Sequence, residues 1–347
     1  MSGNSDKTPP EGPTRPSAED SAHPAETPNV GCLMKLVVIP MGIVAIFAGI
    51  WLVFGLLAHM GNNPRELIED LKKEKDITWQ KALTLANMLR DSQYQDLKRD
   101  PKTATDVASV LQSQIESGAM DAKAVKLRVF LSRALGEFEV PDVVPALIQA
   151  ARVERDAVEV DVRRSALEAI TVLATNIGPE ELRKNERLMD VVLAAAAEQG
   201  EGPVDKNRRD ELRLTAAFTL GVIGGDRSIE RLELLLDDPY PNARYNAATG
   251  LARHGKVVAI PVLVEMLDPD NPFCVEMEKS DEAKQWKRDL VVTNAIRAVR
   301  QLAEKKPTAD LSQLKAALEK VIGSDLKPGV RTEARETLHA LKSLPAK

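Results

Sequence analysis

The chain has 347 residues, of which 44% are hydrophobic and only 3% aromatic, and its formal net charge is −5. A core with so few aromatic residues must consist of Leu, Val, Ile and Ala, which suits close-packed helices better than a β-sandwich. The near-neutral balance lacks the basic excess typical of nucleic-acid-binding proteins. The two cysteines and four histidines are scattered, so the sequence predicts no disulfide framework, metal site, cofactor or catalytic residue.

Residues 1–35 form the first region of the chain. Up to residue 30 they are rich in proline, serine, threonine and glutamate and contain almost no large apolar side chain. Such a segment cannot bury enough surface to offset its chain entropy, so we predict a disordered N-terminal tail. The sequence leaves open whether this tail binds a partner or only acts as a solubilising spacer.

Residues 36–58 read LVVIPMGIVAIFAGIWLVFGLLA, an uncharged and mostly apolar stretch. As a helix it would be about 34 Å long, enough to cross a hydrocarbon core of about 30 Å. A cleaved signal peptide is the alternative, but it would have a shorter apolar core closer to the start of the chain. We therefore predict a single-pass transmembrane helix in contact with the lipid bilayer.

The bases that flank this stretch predict its orientation. Lys35 stands alone on the N-terminal side, whereas Arg65, Lys72, Lys73 and Lys75 follow on the other side. Because positive charge favours the cytoplasmic side, this asymmetry places residues 64–347 in the cytoplasm.

From residue 64 onward one helical pattern recurs, and its clearest copy is DPYPNARYNAATGLARHG at 238–255. Ala247, Gly250 and Leu251 lie three, six and seven residues after Arg244, on one stripe of a helix. Gly255 suits a left-handed cap at the end of that helix. The position of Ala247 recurs as Ala82, Leu131, Ala166, Ala216, Ala295 and Ala334. Steps of about 30 to 50 residues indicate stacked units of one helix pair each.

The sequence therefore predicts an all-α fold, an α-solenoid of about seven helix pairs at 64–347, without strands. The predicted pairs are 64–73 with 77–89, 103–117 with 122–136, 141–151 with 158–175, 180–199 with 209–223, 226–236 with 241–253, 257–267 with 283–304, and 310–322 with 329–344. A polar connection is predicted at 91–102. Long loops are predicted within two pairs, at 200–208 and 268–282. These loops mark either a binding edge or insertions without function.

Four segments carry a resemblance to a known family: VDVRRSALEAI from residue 160, DELRLTAAFTLGVIGG from 210, DPYPNARYNAATGLARHG from 238, and VAIPVLVEMLDP from 258. They resemble HEAT repeats, including the bacterial HEAT-like repeats of the phycobilisome-lyase type. The resemblance implies a right-handed solenoid and an aspartate six residues before an arginine, with the two laddering between repeats. Asp238 with Arg244 and Asp325 with Arg331 have that spacing.

Two groups of basic residues are candidate partner-binding sites. The first is a row of arginines at one repeat position: Arg128, Arg163, Arg213, Arg244 and Arg331. The resemblance implies that they form a hydrogen-bond ladder between repeats; alternatively, they bind an acidic segment of a partner. The second group, Lys206, Arg208 and Arg209, lies in and beside the loop predicted at 200–208.

These observations predict a membrane-tethered scaffold or adaptor that binds another protein of unknown identity and is not an enzyme. An alternative is a lyase-like enzyme that acts on a bilin-bearing protein, because some HEAT-like relatives attach bilins. A second alternative is a nucleic-acid-binding solenoid, which the charge balance makes the least favoured of the three.

Overall fold

A computed structural model of the chain describes residue 41 and residues 44–52, 63–73, 78–200 and 203–344. The chain divides into two compact units, 1–62 and 63–347. In the first unit, residue 41 and residues 44–52 are helical and their side chains are exposed. No helix within the described ranges combines the length and the apolar character needed to cross a membrane. The predicted transmembrane helix at 36–58 lies mostly outside these ranges, and the predicted tail at 1–35 lies entirely outside them.

The described residues of the second unit form helices and connections, with no strand among them. The helices are α1 Pro64–Lys73, α2 Trp79–Arg90, α3 Gln95–Lys98, α4 Pro101–Glu116, α5 Ala122–Gly136, α6 Val144–Arg152, α7 Val160–Ile177, α8 Pro179–Arg183, α9 Glu186–Ala195, α10 Pro203–Ile223, α11 Asp226–Leu234, α12 Pro241–Arg253, α13 Ile260–Leu267, α14 Asp281–Lys305, α15 Ser312–Gly323 and α16 Pro328–Lys342.

These helices form two layers. The second helices of the pairs are α2, α5, α7, α10, α12, α14 and α16, and each packs against the next. The first helices α1, α4, α6, α9, α11, α13 and α15 each pack against the second helix of their own pair. This arrangement confirms the predicted all-α solenoid.

The small residue that recurs in the sequence lies in the core between the helices. All seven residues at this position have 0% exposure: Ala82, Leu131, Ala166, Ala216, Ala247, Ala295 and Ala334. Because an alanine here lets two helices approach closely, the repeated residue reflects packing.

Helices α10 and α12 approach each other closely at two glycines. A Cβ atom on Gly250 would lie 2.8 Å from the Cα atom of Gly221 and 3.2 Å from Cδ1 of Leu232. Larger residues would therefore push the two helices apart. Gly255 has a φ of +70°, which confirms the predicted left-handed cap after α12.

The structure corrects the loop predicted at 200–208. Helix α10 already begins at Pro203, so Lys206, Arg208 and Arg209 lie in its first two turns. A proline at the first helical position suits a helix start. Pairs four residues apart then support the new turns, with Lys206 Nζ 2.7 Å from Asp210 Oδ2 and Arg209 Nε 3.3 Å from Asp205 Oδ1.

Two other predicted boundaries also differ. The helix predicted at 180–199 is split into α8 and α9, because the Asn185 side chain accepts a hydrogen bond from the Leu188 amide at 3.1 Å and starts a new helix. The connection predicted at 91–102 contains a 3₁₀ turn, Ser92–Tyr94, and the short helix α3, whose Leu97 is buried. At both places a local capping side chain sets the helix boundary, and the hydrophobic periodicity does not.

Candidate functional site

A ladder of hydrogen bonds joins four of the five arginines to the neighbouring helix pairs. Each of the four donates to a carboxylate of the next pair, and Arg128, Arg163 and Arg213 are almost completely buried. The carboxylate contacts are Arg128 Nη1 to Glu159 Oε1 at 3.0 Å, Arg163 Nη1 to Glu198 Oε2 at 3.1 Å, Arg213 Nε to Asp238 Oδ2 at 2.8 Å, and Arg244 Nη2 to Glu265 Oε1 at 2.6 Å.

The same four arginines also bind a main-chain carbonyl near the end of the first helix, or in the turn, of their own pair. These contacts are Arg128 Nη2 to Ala119 O at 2.7 Å, Arg163 Nε to Ala151 O at 3.0 Å, Arg213 Nη1 to Glu198 O at 2.9 Å, and Arg244 Nη1 to Asp238 O at 2.8 Å. Each guanidinium therefore satisfies carbonyls that the helix itself leaves free.

The electrostatics of the ladder depend on how completely each charge is paired. Burial opposes the charge of Arg213, but hydrogen bonds and proximity to Asp238 and Asp210 more than compensate and raise the pKa of Arg213. For Arg128 burial prevails and lowers the pKa, although Glu159 acts in the opposite direction. Guanidinium groups held in this way are already occupied within the chain, which favours the ladder over a partner-binding row.

The aspartate–arginine spacing of the family resemblance is realised only in part. Asp238 contacts Arg244 through its main-chain oxygen, while its carboxylate turns back to Arg213 of the preceding pair. For Asp325 and Arg331, no hydrogen bond or ion pair joins the two side chains in the part of the chain that the structure describes.

The second candidate group behaves as part of α10. Arg209 contacts the carboxylates of Glu198 and Glu154, which raise its pKa against the effect of burial. Lys206 is exposed and paired with Asp210. Arg208 is partly exposed, and the described part of the chain offers it no partner. Of the three, Arg208 is thus the side chain that is free to meet another molecule.

Side-chain contacts bridge several seams of the second-helix face, which we define as the outward side of the layer of second helices. The ring of Trp79 stacks on Phe130 with centroids 5.6 Å apart, joining α2 to α5. Ion pairs join further neighbours, with Arg133 Nη2 3.7 Å from Glu168 Oε2 and Arg297 Nε 3.2 Å from Glu333 Oε1. The seams α2–α5, α5–α7 and α14–α16 are therefore bridged.

The seam between α12 and α14 is different. Over the described residues, no side-chain hydrogen bond or ion pair connects these two helices. The outward stripe of α12 carries the short polar residues Asn242, Asn246 and Thr249, whereas α10 and α14 carry Phe218 and Leu290 on either side. The result is a cavity of about 490 Å³, which we call the α12 trough.

Arg253 lines one end of the α12 trough. It lies in the last turn of α12, is partly buried, and has no hydrogen-bond or ion-pair partner within the described part of the chain. Burial lowers the pKa of Arg253, and no carboxylate offsets that effect. Lys287, from α14, also lines the trough and has no such partner in the same ranges. An anion in the trough would therefore meet cations that the chain leaves uncompensated.

Exposed aromatic residues gather around the trough. In the described part of the second unit, the exposed aromatic side chains are Phe218, Phe273 and Trp286. Trp286 precedes Leu290 by one helical turn of α14. Phe273 lines a neighbouring cavity of about 340 Å³, which shares Lys287 with the trough. Exposed aromatic side chains are enriched at protein interfaces, and no sequence motif distinguished these from core residues.

Comparison with known proteins agrees with this repeat architecture. Residues 204–277, from α10 to beyond α13, match the family described as HEAT repeats. No curated protein sequence matches the chain. The solved structure of human deoxyhypusine hydroxylase in complex with glycerol is similar to it, with 15% identity, 80% of this chain and 96% of that chain covered, and a TM-score of 0.26. At that TM-score the similarity assigns no family, activity or partner to this chain.

One expectation from the sequence is corrected here. The prediction that the chain is not an enzyme is contradicted by the structural comparison, because deoxyhypusine hydroxylase is by its name an enzyme. The similarity is too weak to assign an activity. The phycobilisome-lyase subtype, the bilin-directed activity and nucleic-acid binding all stay predictions.

Proposed function

We propose that the chain is a helical-repeat scaffold that holds a segment of a partner protein in the α12 trough. The observation that supports this function best is the open seam between α12 and α14, in a layer whose other seams include several that are bridged by side chains. A cavity of about 490 Å³ with aromatic residues around it has the size and lining of a specific binding site.

The position of the trough suits a scaffold. It lies on α10, α12 and α14, and the ladder arginines Arg213 of α10 and Arg244 of α12 bind carboxylates of the following helix pairs. A site built on packed helices is held more rigidly than one built on loops. Binding therefore costs less ordering entropy in the trough itself.

Tethering to a membrane is the second part of this proposal. It rests on the apolar stretch at 36–58, and the bases that follow this stretch favour a cytoplasmic repeat region. A tether would confine the trough to the membrane surface and raise its effective concentration near partners there. Protease protection in intact cells and inverted vesicles tests the orientation. We expect cleavage of residues 64–347 only in inverted vesicles, and cleavage from outside would contradict it.

Site-specific photocrosslinking tests the binding function. A benzoylphenylalanine is placed at Asn294, an exposed residue that lines the trough, and in a matched chain at Gln313, an exposed residue of the first helix α15. In cells that express the full chain, we expect an adduct with one defined protein segment from position 294 and none from position 313.

Adducts that form equally at the two positions, or only at 313, would contradict the proposal. Mass spectrometry of the cross-linked peptide identifies the segment, which separates specific capture from random collision. Thermal melting of both chains checks that neither probe residue unfolds the repeats.

A further inference from the structure

The charges of the α12 trough define the chemistry of its occupant. Arg253 and Lys287 line the trough without a partner in the described residues, and Glu211, which lines it as well, already accepts a hydrogen bond from the Tyr240 hydroxyl at 2.8 Å. A partly buried cation without a counter-charge is unfavourable in the free protein. The dipole of α12 offsets part of that cost at Arg253, which stands in the last turn of this helix.

The spacing of the two cations limits the length of the occupant. Lys287 lines the trough together with Asn242 and both also line the neighbouring cavity, so this pair marks one end. Arg253 stands eleven residues after Asn242 along α12, about 16 Å away on a helix. An extended peptide covers that distance with about five residues.

The middle of the trough is apolar on its sides. Phe218 on α10 and Leu290 on α14 are 43% and 38% exposed. Between them, Asn246 and Thr249 of α12 present short polar side chains. An apolar side chain of a peptide would bury its surface against Phe218 and Leu290, while its backbone lies over amide and hydroxyl groups.

We propose that the α12 trough binds an extended acidic peptide segment, with two carboxylates about four or five residues apart that pair with Arg253 and Lys287, and an apolar side chain between them. This inference rests on the proposed scaffold function and names the chemical class of the partner. The occupant is a carboxylate-bearing protein segment, and the trough's charge complementarity and dimensions select it.

The test begins with a selection that assumes no partner. The full chain, purified in detergent, is used to select from a display library of random seven-residue peptides. We expect acidic residues about four or five positions apart with an apolar residue between them. A fluorescein-labelled Glu-Gly-Leu-Gly-Glu peptide then measures affinity by fluorescence polarisation, with the Gln-Gly-Leu-Gly-Gln peptide as its neutral counterpart.

Three variants separate the charge from the fold. Arg253→Met removes the cation. Thr249→Glu adds a carboxylate one turn before Arg253, and this carboxylate pairs with Arg253 within the chain. Each should weaken binding of the acidic peptide by about ten-fold or more, because a charge-assisted hydrogen bond is lost. Arg152→Met is the matched control, since Arg152 also lies in the last turn of a helix, has no partner in the described residues and belongs to the first helix α6. It should change binding by less than about two-fold.

A stability measurement distinguishes binding from a structural role. If Arg253 serves a ligand, Arg253→Met should leave the Tm of the free chain unchanged or higher, because it removes an uncompensated charge. A clear fall in Tm, with unchanged peptide affinity, would overturn the inference.

The outcomes also separate this inference from the function on which it rests. The variant Asn294→Trp places a large side chain at the exposed rim of the trough. If neutral or basic peptides are selected, and Asn294→Trp but not Arg253→Met abolishes their binding, the inference is wrong and the scaffold function stands. If no selected peptide responds to Asn294→Trp, both are wrong.

Discussion

Two seams between second helices show how one repeat pattern yields different surfaces. At the α5–α7 seam, Arg133 and Glu168 form an ion pair, and the Ser165 hydroxyl donates to the Val129 carbonyl at 2.9 Å. At the α12–α14 seam, the described side chains form no such contact and leave a cavity. The buried residues follow the same rule in both places. Outward-facing side chains therefore decide whether a seam is bridged by side-chain contacts or left without them.

The largest effect is expected from a variant that breaks the arginine ladder where it joins the pairs of α5 and α7. Arg128 and Glu159 are both 0% exposed, and Glu159→Ala would leave the guanidinium of Arg128 buried without its carboxylate. We expect a loss of about 3–5 kcal/mol in the free energy of unfolding, measured by urea denaturation.

The control for this variant is Glu116→Ala, which removes an exposed glutamate in the last turn of α4 and should cost less than about 0.5 kcal/mol. Equal effects of the two substitutions would show that the ladder does not stabilise the fold.

The second prediction concerns the contact between α10 and α12, two of the helices that line the α12 trough. A Cβ atom at position 250 would lie only 2.8 Å from the Gly221 Cα. Gly250→Val adds this atom and two methyl groups, so α10 and α12 must separate. We expect a cost of about 1–3 kcal/mol, measured by urea denaturation, together with loss of peptide binding in the trough.

Gly329→Ala serves as the control because nothing lies within 4 Å of its added Cβ and the glycine is in a helix. It should be neutral or slightly stabilising. A Gly250→Val chain as stable as the wild type would mean that the two helices are not held by this contact.

The third prediction is that His254, at the C-terminal end of α12, makes the stability of the chain depend on pH. Burial lowers the pKa of His254, and the Nε2 atom of His254 lies 3.0 Å from the Gly221 carbonyl oxygen, to which it donates as neutral imidazole. As pH falls below about 6.5, the unfolded chain takes up a proton that the folded chain resists, so stability present above that pH is lost.

Urea denaturation at pH 7.5 and pH 5.5 measures this loss. His254→Gln should lose less stability between the two pH values than the wild type does. An identical loss in both chains would show that His254 does not contribute to the pH dependence.

The smallest effect is expected at the ion pair that bridges α5 and α7. The pair Arg133–Glu168 has 43% of each side chain exposed, and exposed pairs contribute little. Glu168→Gln should cost about 0.2–1 kcal/mol, and added salt should remove the difference from the wild type. A cost above about 2 kcal/mol in urea denaturation would mean that this contact supports the core as well as covering the face.

The sequence was sufficient for the fold because the recurring small residue is a packing requirement. Ala166, Ala216 and Ala247 recur where helices touch, and they are buried without exception. A helical period with one small position per repeat can be recognised in a sequence even when the loops differ in length. The start of α10 was not predicted, because Pro203 and the pairs four residues apart outweigh the polar composition of 200–208.

The ladder partners and the trough could not be predicted in the same way. Glu159, Glu198 and Glu265 stand at no constant distance from the arginines they bind, so no spacing identifies them. The trough depends on contacts missing from one seam, because the short side chains of Asn242, Asn246 and Thr249 form no hydrogen bond to α14 among the described residues. An absence of that kind has meaning only after the neighbouring helices are known.

The ladder also joins successive pairs through shared residues. The carboxylate of Glu198 binds Arg163 while its carbonyl binds Arg213, and Asp238 binds Arg213 through its carboxylate and Arg244 through its carbonyl. Solenoids usually open unit by unit, since each repeat contacts only its neighbours. Here a local opening at one turn would release donors in two pairs at once. We therefore expect the amides between residues 119 and 265 to exchange with deuterium as one cooperative block, more slowly than the helices at either end of the solenoid.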